Sequence, residues 1–372
     1  MPDEAYRETN ALLADIESRI QDEYRQAAAE MQEKLIEYQN SFKEKNIKKL
    51  EQLRNGEITA DEYEYWYKGQ VLIGQRWIDM RDALAEDMTH SNEIAMSIIS
   101  DYIPEAYAIN HNYGTFEIEK QSRLNTSYTL YSRETVERLI RENPALLPEP
   151  RVDIPKDFRY NQKIVTSAVL QGILQGEDVY QIARRLRPEM AAKATMEYFG
   201  VSTSEALERK LNIAALRNAR TMVTSAQNGG RINAYRRAES MGIKTLKVWL
   251  ATPDGSVRDS HARLDGEEKE PEEEFSNGCR YPGDPNGDPA EVYNCRCTLI
   301  SQVKGTPKID LSDPNRRLDG LKRDYVGGEN MTYQDWKDYH SDDPEVRKAA
   351  REKWKESEES KERRKRRTSR ME

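Results

Sequence analysis

The stretch Ile-Lys-Thr-Leu-Lys-Val-Trp-Leu, residues 243–250, decides the fold of this 372-residue chain, because helical sequence gives way to strand sequence there. Its β-branched and aromatic residues are typical of a strand. Residues 295–303, Cys-Arg-Cys-Thr-Leu-Ile-Ser-Gln-Val, have the same character. Residues 251–294 between them are dense in Pro, Gly, Asp and Asn, which favour turns and loops. The pattern predicts a small α+β module over 241–305, with two strands on either side of a long turn-rich excursion.

Upstream of this module, apolar residues recur every three or four positions, which predicts helices. The first long helix is indicated by Leu13, Ile16, Ile20, Tyr24, Ala27, Met31, Leu35, Tyr38 and Phe42. Asn55-Gly56 predicts its end. Thr59 and Glu62 predict a capping box, in which each side chain bonds the other residue's free backbone amide. A second long helix is expected from there to about Ile98.

Proline, glycine and asparagine predict where these helices are interrupted. We expect breaks at Pro104, at the Asn-His-Asn-Tyr-Gly segment 110–114, and across the proline-rich stretch 143–155, since residues before proline avoid helical geometry. Asn228-Gly229-Gly230 is expected to weaken a later helix.

The predicted fold class is α+β and mainly α, with an elongated helical N-terminal region and a small C-terminal module. The four predicted regions are a helical N-terminal domain at 1–150, a helical connector at 156–240, the α+β module at 241–305, and a charged, partly disordered tail at 306–372.

Composition favours an interaction protein over a compact enzyme. Apolar residues make up 37% of the chain and charged residues 33%, the net charge is -8, and mean hydropathy is -0.94. This balance suits long helices that each bury a single stripe. No apolar run is long enough to span a membrane, and the N-terminus predicts no signal peptide. Three cysteines within 279–297 predict no disulfide framework and a reducing compartment.

Residues 249–297 carry an ordered set of motifs. They are Trp249, Asp254, Arg258, His261, Asp265-Gly266, Pro282-Gly283-Asp284-Pro285 and Asn294-Cys295-Arg296-Cys297. This order resembles the C-terminal domain of the phage Mu F-like minor head protein family. The resemblance extends upstream through Arg220-Thr221, Asn233-Ala234 and Gly242-Ile243, and so covers about 160–303.

The resemblance implies a low-copy structural protein of tailed-phage heads that takes part in head morphogenesis and in genome packaging or delivery. The implied partners are the portal protein and a major capsid or scaffold protein, and neither a membrane nor a small-molecule substrate. The implied location is the head interior or portal vertex of the virion, with the host cytoplasm as the place of assembly.

The residues themselves predict how the excursion is held. Asp254 and Asp265 can accept bonds from backbone amides in their turns. Glycines 255, 266 and 283 can supply unusual backbone dihedrals. Arg258 and Arg296 can pair with carboxylates such as Asp265 or Glu291.

A metal site is a further hypothesis for this segment. His261, Cys279, Cys295 and Cys297 form a chemically reasonable tetrahedral set for a structural zinc ion. The spacing of Cys295 and Cys297 is shorter than in zinc fingers, and Cys279 is outside the family pattern. The alternative is that the thiols pack as small apolar groups while His261 bonds an aspartate.

We expect no enzymatic activity, because the chain lacks a Walker loop, a His-Glu-x-x-His motif and a Gly-x-Ser-x-Gly motif. The competing hypothesis is a metal-dependent, nuclease-like enzyme that uses His261 and the cysteines. A third hypothesis is a DNA-binding accessory protein. Its contacts would come from the basic tail residues Arg363, Arg364, Lys365, Arg366 and Arg367, and its binding to packaged DNA would be sequence-independent and salt-sensitive.

Overall fold

A computed structural model describes residues 3–68, 75–122, 129–144, 146–147, 152–175, 214–252, 257–306 and 331–354. Its elements are α1 (Glu4–Arg54), α2 (Ala60–Lys68), α3 (Gln75–Ser122), α4 (Arg133–Glu142), α5 (Ile154–Gln175), α6 (Ala214–Ser240), β1 (Thr245–Leu250), α7 (Asp259–Arg263), β2 (Glu268–Lys269), α8 (Pro289–Val292), β3 (Thr298–Val303) and α9 (Tyr333–Tyr339). A further helix covers residues 344–354. The predicted class, mainly α within α+β, is confirmed. Among the described helices, none has the length and apolar character needed to cross a membrane.

The first long helix and its end are confirmed. Helix α1 buries the predicted stripe, with Ile16, Ile20 and Leu35 almost fully inaccessible. Gly56 follows it with a φ of 72°, a conformation that costs glycine little. The capping box is present as well, because the backbone amide of Thr59 donates to Oε2 of Glu62 at 2.8 Å and the amide of Glu62 donates to the Thr59 hydroxyl at 3.2 Å.

The breaks predicted at Pro104 and at 110–114 are wrong, because α3 runs through both. Tertiary hydrogen bonds outweigh local propensity here. The side-chain amide of Asn110 donates to the hydroxyl of Thr9 at 2.7 Å, and that of Asn112 donates to the carbonyl of Tyr131 at 2.9 Å. The break predicted across 143–155 is confirmed in the part that is described, since α4 ends at Glu142 and α5 begins at Ile154.

Contacts divide the chain into two compact units. The first comprises the described residues of 1–15, 100–149 and 218–372, and includes the sheet. The second comprises those of 16–99 and 150–217, and its apolar core is formed by Met31, Leu35, Met80, Leu84, Val165 and Ala168. Polar bonds in the second unit include one from the Asn161 amide to the Thr89 hydroxyl at 3.0 Å. The four consecutive regions proposed from the sequence stay a prediction.

The sheet is antiparallel and small, with the order β2-β1-β3. Trp249 lies opposite Leu299, and Lys247 lies opposite Ser301. The two strands expected from the sequence are therefore present, and they pair with each other. Two short helices, α7 and α8, and the two-residue strand β2 lie in the excursion that we expected to consist of turns and loops.

Helix α6 continues through Gly229 and Gly230, where we expected weakening. The reason is a close approach between α6 and α3. A Cβ added at Gly230 would lie 2.5 Å from the carbonyl oxygen of Tyr107 and 3.0 Å from the amide nitrogen of His111. The glycine thus permits backbone-to-backbone packing of the two helices, and tertiary contact offsets the low helix propensity of glycine.

The Arg231 guanidinium of α6 is fully buried and joins four segments of the first unit. It donates to both carboxylate oxygens of Asp3 at 3.0 and 2.9 Å, to the carbonyl of Leu299 at 2.8 Å and to the side-chain oxygen of Asn110 at 3.1 Å. Glu117 of α3 lies 3.9 Å away. Bonds from this one guanidinium therefore connect the N-terminus, α3, α6 and β3.

Part of the predicted tail is folded onto this unit. The first turn of α9 carries a capping box between Thr332 and Asp335. Tyr333 and Trp336 are buried against Tyr113 and Phe116 of α3. The indole nitrogen of Trp336 also donates to a carboxylate oxygen of Glu119 at 2.6 Å.

Gly230→Ala is expected to destabilise the protein by roughly 1–3 kcal/mol, because the added methyl group meets backbone atoms that cannot move away. Gly229→Ala is the matched control. Its Cβ would find only ordinary contacts, the nearest being 3.5 Å from the Tyr107 ring. The control should change stability by no more than about 1 kcal/mol, in the stabilising direction. Denaturant unfolding measures both, and equal losses would contradict the close approach.

Glu117→Gln is expected to change how stability depends on pH. Burial raises the pKa of Glu117 from 4.5 to about 7, an effect that Arg231 opposes and Asp3 reinforces. Between these values the folded state holds a proton that the unfolded state has released. The wild type should therefore lose stability relative to the variant as the pH rises from 4.5 to 7, by up to about 3 kcal/mol. Melting temperatures measured from pH 5 to pH 8 test this, and a constant difference would contradict it.

Candidate functional site

Three of the predicted metal ligands come together inside the module. His261 lies on α7, and Cys295 and Cys297 lie just before β3. One ligand atom from each falls within 4.8 Å of the others, and all three side chains are buried. Cys279 is also buried but does not join this cluster. Of the four metal ligands predicted from the sequence, the structure thus brings three together.

Both thiols face the same ring nitrogen. Nδ1 of His261 lies 3.6 Å from Sγ of Cys295 and 3.5 Å from Sγ of Cys297. The spacing of two along the chain, which is unusual for zinc fingers, places both sulfurs on one side of the backbone.

The other ring nitrogen faces a carboxylate. Nε2 of His261 lies 3.0 Å from Oε2 of Glu291 on α8. The N–H direction is not aligned with that oxygen, and no described residue gives Nε2 a well-oriented hydrogen bond. The contact is therefore electrostatic at this geometry. The side-chain amide of Asn277 donates to the same Glu291 oxygen at 3.2 Å. The aspartate partner expected for His261 is thus replaced by a glutamate.

The two thiols differ in acidity. A hydrogen bond from Cys295 lowers the pKa of Cys297, and His261 adds to the effect. The same contact and burial raise the pKa of Cys295. The thiolate is the form of cysteine that binds metals and attacks electrophiles.

Aromatic packing closes the cluster from solvent. The ring of Trp249 on β1 meets the His261 ring edge-on with centroids 5.2 Å apart, and meets Phe275 in the same manner at 5.1 Å. Cys295 and Cys297 belong to the same apolar core as these rings. His261 is only 1% exposed. Such burial suits a site that holds an ion or fastens the fold, and it leaves a substrate no access.

Asn228 fastens the excursion to α6, a role the sequence analysis missed. Its amide nitrogen donates to the carbonyls of Thr224, Pro282 and Cys297 at 3.0 to 3.2 Å, and its oxygen accepts from the amide of Leu299 at 2.9 Å. An Asn-Gly-Gly sequence in a helix favours a break, so the sequence signal pointed elsewhere.

Lys247 holds the middle of the excursion, and it too was missed. Its side chain is fully buried in β1, and Nζ donates to the carbonyls of Pro271, Glu273 and Arg280. Burial lowers its pKa to about 8, so the ammonium form, with three donors, still prevails at neutral pH. A lysine among strand residues was the available signal.

The turn residues have the roles predicted where they are described. Asp265 accepts from the backbone amide of Ala251 at 3.0 Å. Gly266 and Gly283 have φ values of 82° and 79°. Gly283 also packs closely, since a Cβ there would lie 2.9 Å from the amide nitrogen of Ser225. Asp254 and Gly255 lie outside the described residues.

The Pro282–Pro285 turn is held by Asp284. This buried carboxylate accepts from the Arg280 amide at 2.9 Å and from its guanidinium at 3.2 Å, and from the Asn286 amide at 3.0 Å. Burial alone would raise the pKa of Asp284, but these bonds outweigh burial and lower it. Pro285 itself is exposed.

The remaining motif residues contact the backbone of neighbouring elements. The guanidinium of Arg258 donates to the carbonyl of Tyr293, where a carboxylate was expected. The carbonyl of Arg296 accepts from the Thr252 hydroxyl at 2.6 Å. Asn294 has a φ of 58°, and its amide donates to the Thr221 hydroxyl at 3.0 Å. The basic residues 363–367 lie outside the described part of the chain.

Lys247→Met is expected to destabilise the module by roughly 3 kcal/mol or more, because it leaves three carbonyls without their donor. Lys244→Met, at an exposed lysine directly before the same strand, is the control and should have little effect. Denaturant unfolding gives the free energies, and trypsin should cleave the excursion faster only in the first variant. Equal proteolysis of both variants would contradict the fastening role.

Comparison with known proteins finds similarity to a family over part of the chain. Residues 163–300 match the family described as phage Mu protein F like protein. The chain is 24% identical over 279 residues to Minor head protein GP7 of Bacillus phage SPP1, covering 71% of this chain and 79% of that protein. No solved structure matches the chain significantly.

A second relative has a different name. The chain is 29% identical over 171 residues to NAD(+)--arginine ADP-ribosyltransferase EFV of Enterococcus faecalis, covering 44% of this chain. The chain spans only 31% of the length of that relative. The family match and the similarity to the SPP1 protein confirm the resemblance inferred from the motifs. Residues 163–300 are therefore similar to the phage Mu protein F-like family.

Proposed function

We propose that the protein is a minor head protein of a tailed phage, which acts at the portal vertex in head morphogenesis and in genome packaging or delivery. The observation that carries the proposal is the similarity to the SPP1 minor head protein, because it extends over most of both chains. In this proposal the protein resides in the virion and is assembled in the host cytoplasm. Its partners are the portal protein and a capsid or scaffold protein.

The geometry of the module supports a binding role over catalytic turnover. Its motif side chains Trp249, His261, Cys295 and Cys297 are at most 2% exposed. A substrate has to reach the reacting atoms, and these atoms lie within a packed core. The motif therefore builds the fold, and partner proteins would contact the helix faces and loops around it.

The name of the enterococcal relative makes transfer from NAD⁺ the activity to exclude. The similarity to that protein leaves most of its length unmatched. Our proposal assigns no transfer reaction to this chain, and likewise no nuclease reaction to the His261 cluster.

DNA contact belongs to the same proposal as a subsidiary role. The run Lys361–Arg367 holds six basic residues and one acidic residue. Such a run binds phosphates without regard to base sequence, and its affinity falls steeply with salt.

The test uses a phage in which the gene for this chain is deleted and the protein is supplied from a plasmid. Purified particles should contain the protein in low copy, and tagged protein should co-purify with the portal protein of the same phage. Without complementation, infectious titre should fall at least about tenfold while the major capsid protein is still made. Gly229→Ala, a conservative change inside α6, should restore titre, whereas Gly230→Ala should restore it poorly.

Two results would overturn the proposal. One is the absence of the protein from purified infectious particles. The other is transfer of ADP-ribose from NAD⁺ to an arginine analogue by the purified chain, at a rate above that of a heat-inactivated sample.

A further inference from the structure

We propose that His261, Cys295 and Cys297 bind one zinc ion, with Nδ1 of the histidine and both sulfurs as ligands and a water molecule in the fourth position. Thiolate and imidazole groups are the ligands that zinc prefers. The three side chains are buried together in the first unit.

The distances fit a tetrahedral ion. Zinc bonds of about 2.0–2.1 Å to nitrogen and about 2.3 Å to sulfur place those ligand atoms roughly 3.6 Å apart at the tetrahedral angle. The observed separations from Nδ1 are 3.6 Å to Cys295 and 3.5 Å to Cys297. Both edges that include the nitrogen thus have the length that a shared ion requires.

Hydrogen bonding can link the three groups in a chain, since Cys295 bonds Cys297 and the lone pair of a neutral imidazole nitrogen accepts from one thiol. A shared ion would instead bond both sulfurs and Nδ1 at once, which accounts for the nearly equal distances of the two sulfurs from Nδ1. On binding, each thiol becomes a thiolate and releases its proton to solvent.

The opposite side of the ring has the group that a metal-bound histidine needs. A ligating histidine usually directs its second ring nitrogen at a carboxylate or carbonyl, which sets the tautomer and the orientation of the ring. Oε2 of Glu291 lies 3.0 Å from Nε2. The carboxylate thus lies beside this ring nitrogen without an aligned hydrogen bond, and Glu291 is outside the cluster of three ligand atoms.

A catalytic use of the same groups explains less. A thiol, an imidazole and a carboxylate in sequence resemble an activated nucleophile. Catalysis would leave the second thiol without a role, and the burial of all three groups excludes a substrate. An ion needs no such access once the chain has folded.

The ion would fasten the excursion at its two ends. His261 lies near the beginning of the excursion, and the two cysteines lie at its end. Linking positions so far apart in sequence restricts the unfolded chain more than it restricts the folded one. The ion therefore adds to the bonds made by Asn228 and Lys247.

The experiment measures zinc in the full chain, purified under reducing conditions without chelators, by mass spectrometry of the metal. The wild type should carry about one zinc per chain, and Cys297→Ser and His261→Gln should retain less than about a tenth of that. Cys279→Ser is the matched control, because this thiol is buried in the same core but outside the cluster. It should keep its zinc.

A second measurement uses the wild type alone, so that a variant's failure to fold does not decide the outcome. Replacing zinc by Co²⁺ should give a thiolate-to-cobalt charge-transfer band together with the absorption of a tetrahedral ion. A chelator should remove the zinc and lower the melting temperature by several degrees. Both effects should be reversed by adding zinc.

Four results would overturn the inference. The wild type could bind no zinc even when one equivalent is added. Cys279→Ser could lose its zinc while remaining folded by circular dichroism. Thiol titration of the denatured, unreduced protein could find one free cysteine where three are expected, which would indicate a disulfide. The zinc-loaded protein could be alkylated at Cys297 as fast as a free thiol, which would indicate a reactive nucleophile.

Discussion

The buried guanidinium of Arg231 is the constraint on which the first unit depends. The guanidinium is shielded from solvent. It pairs with the carboxylate of Asp3 and donates to the backbone carbonyl of Leu299 in β3. A buried ion pair contributes little net stability compared with a well-packed apolar pair, because both charges lose their hydration. Removing one partner, however, costs about 3–5 kcal/mol, since the remaining charge stays buried. The network therefore selects one arrangement of the N-terminus, α3, α6 and β3, and disfavours others that would leave the charge unpaired.

The same principle organises the excursion between the strands. In addition to its own buried residues, such as Leu264 and Phe275, the excursion is held by polar side chains of the core that bond its backbone. Asn228 donates to the carbonyls of Pro282 and Cys297 and accepts from the amide of Leu299. The ammonium group of Lys247 donates to three carbonyls. Each bond is modest on its own, but a buried carbonyl without a donor is costly. Other conformations of the excursion would leave these carbonyls without donors, and this cost favours the observed conformation.

The sequence predicted structural features with local causes better than features that depend on tertiary contacts. Periodicity identified α1, the two strands and the break near residue 150, because these follow from the spacing of apolar residues and prolines. The motif set identified the module and brought His261, Cys295 and Cys297 forward as neighbours. Three predictions of interrupted helices were wrong for a single reason, namely those at Pro104, at 110–114 and at Gly229-Gly230. Local propensity disfavours helix at each, and only knowledge of the partner atoms, such as the Tyr107 carbonyl against Gly230, shows why the helix persists. Arg231 carries no local signal, since a charged residue is ordinarily solvated, and the sole sign of Lys247 was a lysine among strand residues.

The motif side chains point into the core, so the residues that build the fold differ from those that a partner could contact. Trp249, His261 and Cys297 share one core, so substituting them would act on folding before it acted on any partner. A motif of this kind identifies a fold and says little about the surface, because the surface residues are free to vary as long as the core is satisfied. Specificity for a portal or capsid partner would therefore depend on the exposed faces of the helices and on the loops that the core holds in place.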